Sequence, residues 1–174
     1  MTSLARALAA IAALAAAPVA ARAEGAPKLD AKAAFERLKS LAGEWRGKAG
    51  RGEPANPAVV RWETISGGTA VMETLFPGTP HEMRSVYHLD GGQLVMTHYC
   101  AMGNQPRVRL APASTKDELV FEFAGGTNLD PKKDVHVHSG KIRFAGADEL
   151  DVEWAVFKGE AQTGANRLVL ARAK

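Results

Sequence analysis

The 174-residue sequence has little of several features that mark specialised classes of protein. A single cysteine, Cys100, excludes a framework of intramolecular disulfide bonds. The 17 glycines follow no period, which excludes a collagen-like chain, and a hydrophobic content of 46% is too high for intrinsic disorder. No phosphate-binding loop, dinucleotide fingerprint or HExxH motif occurs, so nucleotide chemistry and zinc-dependent proteolysis have no residues to act through. One globular domain is the class that remains.

The sequence also lacks a block of charge of one sign. Its formal net charge of +3 comes from 22 basic and 19 acidic residues, which are interleaved along the chain. Interleaved charges give no sustained basic face, so we expect no nucleic-acid partner. A chain of this length can bury a substantial core without disulfide bonds.

The first 23 residues have the three parts of a secretory signal peptide. Arg6 supplies the positive start, residues 8–14 form an Ala/Leu/Ile run, and Ala21-Arg22-Ala23 is a small-residue cleavage signal. The apolar run is shorter than the roughly 20 residues of a membrane-spanning helix, although an uncleaved N-terminal anchor is the alternative. The sequence therefore predicts a signal peptide over 1–23 with cleavage after Ala23, a periplasmic or secreted protein, and no stable membrane insertion after cleavage.

A polar, proline-containing lead, 24–29, separates this signal from a single domain predicted over 30–174. Asp30 stands at an N-cap position, and apolar residues then share one helical face until Gly43 provides a stop. This spacing predicts one amphipathic helix over 31–42.

After the helix the periodicity changes to alternation of apolar and polar residues, which is typical of strands. The alternating runs are separated by breaks rich in Gly, Pro, Asn and Asp, three of which are tight hairpin turns. The sequence therefore predicts an all-β domain with one N-terminal helix. A closed antiparallel up-and-down barrel is favoured, because an open sheet would leave two long edges, and such a barrel can hold a small ligand. The predicted strands are 44–49, 58–65, 69–76, 81–89, 93–102, 106–111, 118–124, 134–144, 149–157 and 166–172.

Pairing the strands through their turns predicts which side chains point into the barrel, because alternate residues of a strand face opposite sides. His98 is predicted to be shielded, and its neighbour Tyr99 is predicted to be exposed. We expect the following inward residues to form a ligand-binding site: Trp62, Glu73, Met83, Ser85, Tyr87, Met96, His98, Cys100 and His138.

The helix is followed by Gly43-Glu44-Trp45-Arg46-Gly47 and then by the ten runs. This arrangement resembles the lipocalin-like (calycin) barrels, in which a tryptophan just inside the first strand plugs the barrel floor. Within that group the chain is similar to uncharacterised secreted proteins, over about residues 35–172, and the resemblance implies a fold without a settled activity. The segments that carry this similarity are Gly68–Phe76, Tyr87-His88, Thr97–Cys100 and Gly103–Arg107.

The chain also resembles the nitrobindin-type haem barrels, which share the helix, the ten strands and a related glycine-tryptophan start. This resemblance implies haem as a candidate cofactor. The chain differs at two positions, since Ala49 replaces the third glycine of the start and Asn166 stands near the place of the proximal haem histidine. A haem held by another inward histidine is the alternative.

His136 and His138 are alternate residues of one predicted strand. This spacing places two imidazoles on one face, about 7 Å apart, from which both can reach one transition-metal ion. His98 or Glu73 could supply a third ligand. A bulge at Ser139-Gly140 would instead turn both histidines outward and bring their valine neighbours inside.

Glu73 is the unusual residue of the predicted interior, because a buried carboxylate must be paired, hydrogen-bonded or protonated. One interpretation is an ion pair with an inward Arg107 or Arg109. The other is a polar anchor for the head group of a ligand. Together with His98, Glu73 could also serve as the acid and base of an enzyme.

These observations favour an exported barrel that binds or carries a small, largely apolar ligand in its interior. This interpretation requires no catalytic residue and no cofactor, and its partner is a small molecule. Two alternatives stay open. The first is a haem- or metal-binding barrel that uses inward histidines, and the second is a cavity enzyme with Glu73 and His98 as acid and base.

Overall fold

The computed structural model describes residues 29–50 and 56–174. In these ranges one helix is followed by ten antiparallel strands, each paired with its neighbour in the sequence, and the first and last strands also pair. The predicted all-β, up-and-down closed barrel is confirmed. The elements are α1 (Ala31–Lys39), β1 (Gly43–Gly50), β2 (Asn56–Ile65), a 3-10 turn (Ser66–Gly68), β3 (Ala70–Leu75), β4 (Met83–Asp90), β5 (Gln93–Tyr99), β6 (Gln105–Leu110), β7 (Glu118–Thr127), β8 (Val135–Phe144), β9 (Glu149–Lys158) and β10 (Ala161–Arg172).

The predicted signal peptide 1–23 and nearly all of the predicted lead 24–29 lie outside the described residues. Within the described part, no helix has the length and apolar character needed to cross a membrane.

Helix α1 begins at a capped residue and ends earlier than the sequence predicts. Oδ1 of Asp30 accepts a hydrogen bond from the backbone N–H of Ala33 at 2.7 Å, as an N-cap does. The prediction of a helix over 31–42 is wrong at its end, because α1 stops at Lys39 and the chain tightens into i→i+3 turns before Gly43. The apolar face of α1 is buried in the same cluster as the barrel interior.

Trp45 fills the end of the barrel next to α1. Its side chain is 1% exposed, and its Nε1 donates a hydrogen bond to the carbonyl oxygen of Leu41 at 2.8 Å. Arg172, the last residue of β10, stacks on the indole ring and donates to the carbonyl oxygens of Ser40 and Ala42. The end of the helix is therefore joined to both the first and the last strand, which agrees with the tryptophan floor that the resemblance implies.

The pairings predicted through the tight turns are confirmed for two hairpins. Trp62 on β2 stands opposite Glu73 on β3, and Ser85 on β4 stands opposite His98 on β5. His98 is 7% exposed and Tyr99 is 52% exposed, as the predicted alternation requires.

A bulge in β8 changes the orientation of two histidines. The pairing with β9 shifts between Val137 and Ser139, so that Val137 instead of His138 stands opposite Val156. The prediction that His136 and His138 point into the barrel is therefore wrong, because the extra residue reverses the alternation in the first part of the strand. The valines on either side of His136 face the interior instead, which is the outcome expected for a bulge near this position.

Candidate ligand-binding cavity

A cavity of about 790 Å³ lies inside the barrel, at the end away from α1. This volume falls within the range of about 300–1,000 Å³ that is usual for small-molecule sites. The cavity reaches the β3–β4 and β5–β6 connections, where Phe76 and Met102 stand at its mouth. Its wall is mainly apolar and includes Ala49, Leu75, Met83, Met96, Val135, Val137, Trp154, Val156 and Leu168.

The structure brings five of the nine predicted site residues to the cavity wall, namely Met83, Ser85, Met96, His98 and Cys100. Three others, Trp62, Glu73 and Tyr87, are buried in the core beside the cavity, each with 2% of its surface exposed or less. The ninth, His138, lies outside the cavity because of the bulge in β8.

A row of polar side chains crosses four neighbouring strands and connects the core to the cavity wall. Trp62 stands opposite Glu73, Glu73 stands opposite Ser85, and Ser85 stands opposite His98. Tyr87 donates a hydrogen bond from its hydroxyl group to Oε2 of Glu73 at 3.1 Å. We refer to these five residues as the polar row. Its cavity end is formed by Ser85 and His98.

The partners of Glu73 are hydroxyl groups and not arginines. Burial raises the pKa of the Glu73 carboxyl to about 7, and hydrogen bonds from Ser85 and Tyr87 act in the opposite direction. The interpretation of an ion pair with Arg107 or Arg109 is wrong, because both side chains are exposed and Arg109 pairs with a glutamate of β7. Glu73 is therefore partly protonated near neutral pH. It does not line the cavity itself, but its neighbour Ser85 does.

His98 is one of the polar groups of the cavity wall, together with Ser85 and Asn166. Its Nδ1 lies 3.1 Å from Oγ of Ser85. Burial lowers the pKa of His98 to about 4, so the imidazole is neutral near pH 7. Because Nδ1 is held by Ser85, Nε2 is the ring nitrogen left for a molecule in the cavity.

His136 and His138 belong to an aromatic cluster that does not line the cavity. The ring of His138 stacks on Phe157 and on Phe123, with centroid separations of 4.1 and 4.9 Å, and His136 is fully buried beside it. In the described ranges, no three or more His, Cys, Asp or Glu side chains are grouped so that they could hold a metal ion. The metal site predicted from both histidines with His98 is therefore not assembled by the fold.

The cavity does not reproduce the haem site that the resemblance implies. Asn166 stands opposite Trp154 and lines the cavity, in the region where the haem barrels have their proximal histidine. An amide is not among the side chains that hold haem iron in proteins. His98, the inward histidine with a free Nε2, lies on β5, five strands away from β10 around the barrel.

Several wall residues were not among the predicted site residues. Trp154 and Leu168 lie on inward faces, so the alternation of their strands is a signal that could have placed them in the cavity. Phe76 has no such signal, because it follows β3 in a loop and adopts a φ of 52°, which is rare for a bulky residue.

The fold and the cavity define the class of this protein as a ten-stranded β-barrel with an internal cavity that opens at one end. Among solved structures, the chain is similar to a protein of unknown function from the DUF3598 family of Nostoc punctiforme, with a TM-score of 0.51 and 16% sequence identity. The match covers 91% of this chain and 53% of that chain, so this chain spans about half the length of the matched protein. At this identity the likeness shows the fold alone. The sequence matches no protein-family model and no curated protein.

Proposed function

We propose that this protein is exported and carries a small, largely apolar ligand in the barrel cavity. The observation that carries the proposal is the composition of the wall, in which apolar side chains from most of the strands surround about 790 Å³. Pockets of this kind bind apolar molecules by burial and use a few polar groups to orient them.

The two sides of the cavity support binding in different ways. Met83 and Met96, on β4 and β5, have flexible thioether side chains that adapt to the shape of an apolar ligand. On β8 and β9 the wall is more rigid, because the indole of Trp154 lies directly over Gly140, where any Cβ atom would overlap it. This combination suits a carrier for a group of related apolar molecules.

Binding is tested with Nile red, an uncharged apolar dye, on protein purified without refolding. We compare the wild type with Met83→Trp, which places an indole in the cavity, and with Arg84→Trp, which places one on the outer face of the same strand. The proposal expects Nile red to bind the wild type and Arg84→Trp alike, and Met83→Trp to bind at least about tenfold more weakly. Absence of wild-type binding, or equal binding by all three proteins, would overturn it.

The same protein preparation distinguishes the carrier from the alternative of a haem- or metal-binding barrel. Native mass spectrometry identifies any molecule that co-purifies with the barrel. A Soret band would identify the protein as a haem protein, and a stoichiometric metal ion would identify it as a metal protein. Either result would contradict the proposal of a simple carrier.

Export is tested independently of the cavity. Cleavage after Ala23 gives a mature protein that begins at Glu24. We expect the intact mass of protein from the periplasmic fraction to match that product. A mass that matches the full chain, or recovery in the membrane fraction, would contradict export with cleavage.

A further inference from the structure

The polar end of the cavity wall limits the chemistry of the ligand. We propose that the ligand has an uncharged hydrogen-bonding head group, such as a hydroxyl, which binds Nε2 of His98, and that the cavity disfavours the corresponding carboxylate. This inference rests on the proposed function, since it names the class of molecule that the same cavity accepts.

The position of His98 along its strand sets where the head group lies. Cys100, nearer the mouth, and Met96, deeper in the barrel, lie on the same side of the strand and line the cavity with it. His98 and its partner Ser85 therefore form a polar patch at mid-depth, with apolar wall above and below it. A ligand that fills the cavity displaces water from this patch, so a ligand that gives the patch no partner loses a hydrogen bond.

Ser85 is the positioning residue of this patch. Its hydroxyl group holds Nδ1 of His98, which fixes the orientation of the ring and turns Nε2 toward the cavity. Because Ser85 donates its one proton to Glu73, its oxygen accepts from Nδ1–H of His98, and Nε2 is left as an acceptor for a donor head group such as a hydroxyl.

The charges around the patch act against an anionic head group. Burial keeps His98 neutral, and the residue that follows Ser85 in the polar row is the carboxylic acid Glu73. Arg167 reaches the rim of the cavity but donates two hydrogen bonds, at 2.8 and 2.7 Å, to Asp151. A carboxylate at His98 would therefore be buried without a counter-ion, which is strongly unfavourable.

The test is competition for bound Nile red by 1-decanol and by decanoate at pH 8, two molecules with the same chain length. The wild type is compared with His98→Phe, which keeps an aromatic ring without Nε2, and with His88→Phe, the same substitution on a side chain that does not line the cavity. We expect decanol to bind the wild type at least about tenfold more tightly than decanoate. His98→Phe should weaken decanol binding by about five- to tenfold relative to its own affinity for Nile red, the value of one net hydrogen bond, and His88→Phe should bind both molecules like the wild type.

The outcomes separate this inference from the proposed function. If the wild type binds no Nile red, both fail. If it binds Nile red but holds decanoate as tightly as decanol, or if His98→Phe binds decanol normally, the head-group inference is overturned and the carrier stands. Should His98→Phe not fold, ¹⁵N NMR of the wild-type histidines replaces it. Decanol is then expected to shift the Nε2 resonance of His98, and an unchanged resonance would overturn the inference.

Discussion

The hydroxyl group of Ser85 and the imidazole of His98 face each other across β4 and β5, with Oγ 3.1 Å from Nδ1. On one side this pair lines the cavity, and on the other it continues the polar row toward buried Glu73. Burial shifts the pKa values of Glu73 and His98 in opposite directions. Their effects on stability can therefore be separated by single substitutions.

His98 is expected to reduce the stability of the protein in acid. Its pKa in the folded protein, about 4, lies below the ordinary value of 6.5, so the unfolded chain binds a proton as the pH falls and the folded protein does not. Stability is lost as the pH falls from 6.5 toward 4, by about 3 kcal/mol in total. Denaturant unfolding of the wild type and His98→Phe between pH 7 and pH 4 measures this loss. A difference between the two proteins that stays constant with pH would contradict the prediction.

Glu73 is expected to reduce stability at higher pH. Its pKa in the folded protein, about 7, lies above the ordinary value of 4.5, so the folded protein keeps a proton that the unfolded chain releases. The contribution of the protonated carboxyl is complete below pH 4.5 and is lost as the pH rises through 7, by about 3 kcal/mol. Glu73→Gln keeps an acceptor for Tyr87 and should exceed the wild type in stability at pH 8 but not at pH 4.5.

Glu63→Gln is the matched control for this substitution, because Glu63 lies on the neighbouring strand with its side chain exposed. Its stability should follow the wild type at every pH. Between pH 4.5 and pH 6.5 the contributions of Glu73 and His98 to stability change with pH in opposite directions, so they partly cancel in the wild type. A variant that lacks one of the two groups should therefore show a steeper pH dependence of stability than the wild type. Identical profiles for the wild type and Glu73→Gln would show that the carboxyl has an ordinary pKa.

Cys100 reports whether the cavity is occupied. The thiol is half-buried at the cavity wall, so a thiol reagent should label it more slowly in the folded protein than in denatured protein. Bound Nile red should slow the reaction further, because it covers the same wall. The control is a protein with Cys100→Ser and Tyr99→Cys, whose cysteine replaces a side chain that is 52% exposed and does not line the cavity, so it should label at a rate independent of the dye. A Cys100 rate unaffected by Nile red would show that the dye binds elsewhere.

Phe76 is expected to combine backbone strain with a role at the cavity mouth. Its φ of 52° is one that bulky side chains rarely adopt, and its backbone is held there by hydrogen bonds with Val59 and Thr79. Phe76→Gly and Phe76→Ala both remove the ring, but only glycine adopts this φ without strain. We expect Phe76→Gly to be more stable than Phe76→Ala by about 1 kcal/mol, and both to release Nile red faster than the wild type. Equal unfolding free energies for the two variants would exclude the strain.

The parts of the fold that could be predicted are those that local chemistry determines. The cap at Asp30 marks the start of α1, and tight turns determine the register of the hairpins that pair Trp62 with Glu73 and Ser85 with His98. The pairing of Glu73 with Ser85 joins two of these hairpins across a longer connection, which leaves the register open. The complete polar row was therefore visible only in the structure.

Orientation along a strand was the part that the sequence could not determine. In β8 one extra residue at the bulge moves His136 and His138 away from the cavity, and alternation alone does not reveal where a bulge falls. In β6 arginines alternate with apolar residues, and this alternation alone does not determine which of the two sets faces the interior. Arg109 could therefore be expected beside Glu73, although it lies outside on the exposed surface.

The joining of the first and last strands has a consequence for the time at which the protein can fold. β1 pairs with β10 from Gly50 opposite Arg167 to Trp45 opposite Arg172, and Arg172 also holds the end of α1. Until the segment that contains residue 172 has been synthesised, the growing chain can form only an open sheet with unpaired edges. Contacts between such distant segments form slowly. Closure of the barrel is therefore the last step in forming the sheet, because it cannot begin before β10 has been synthesised.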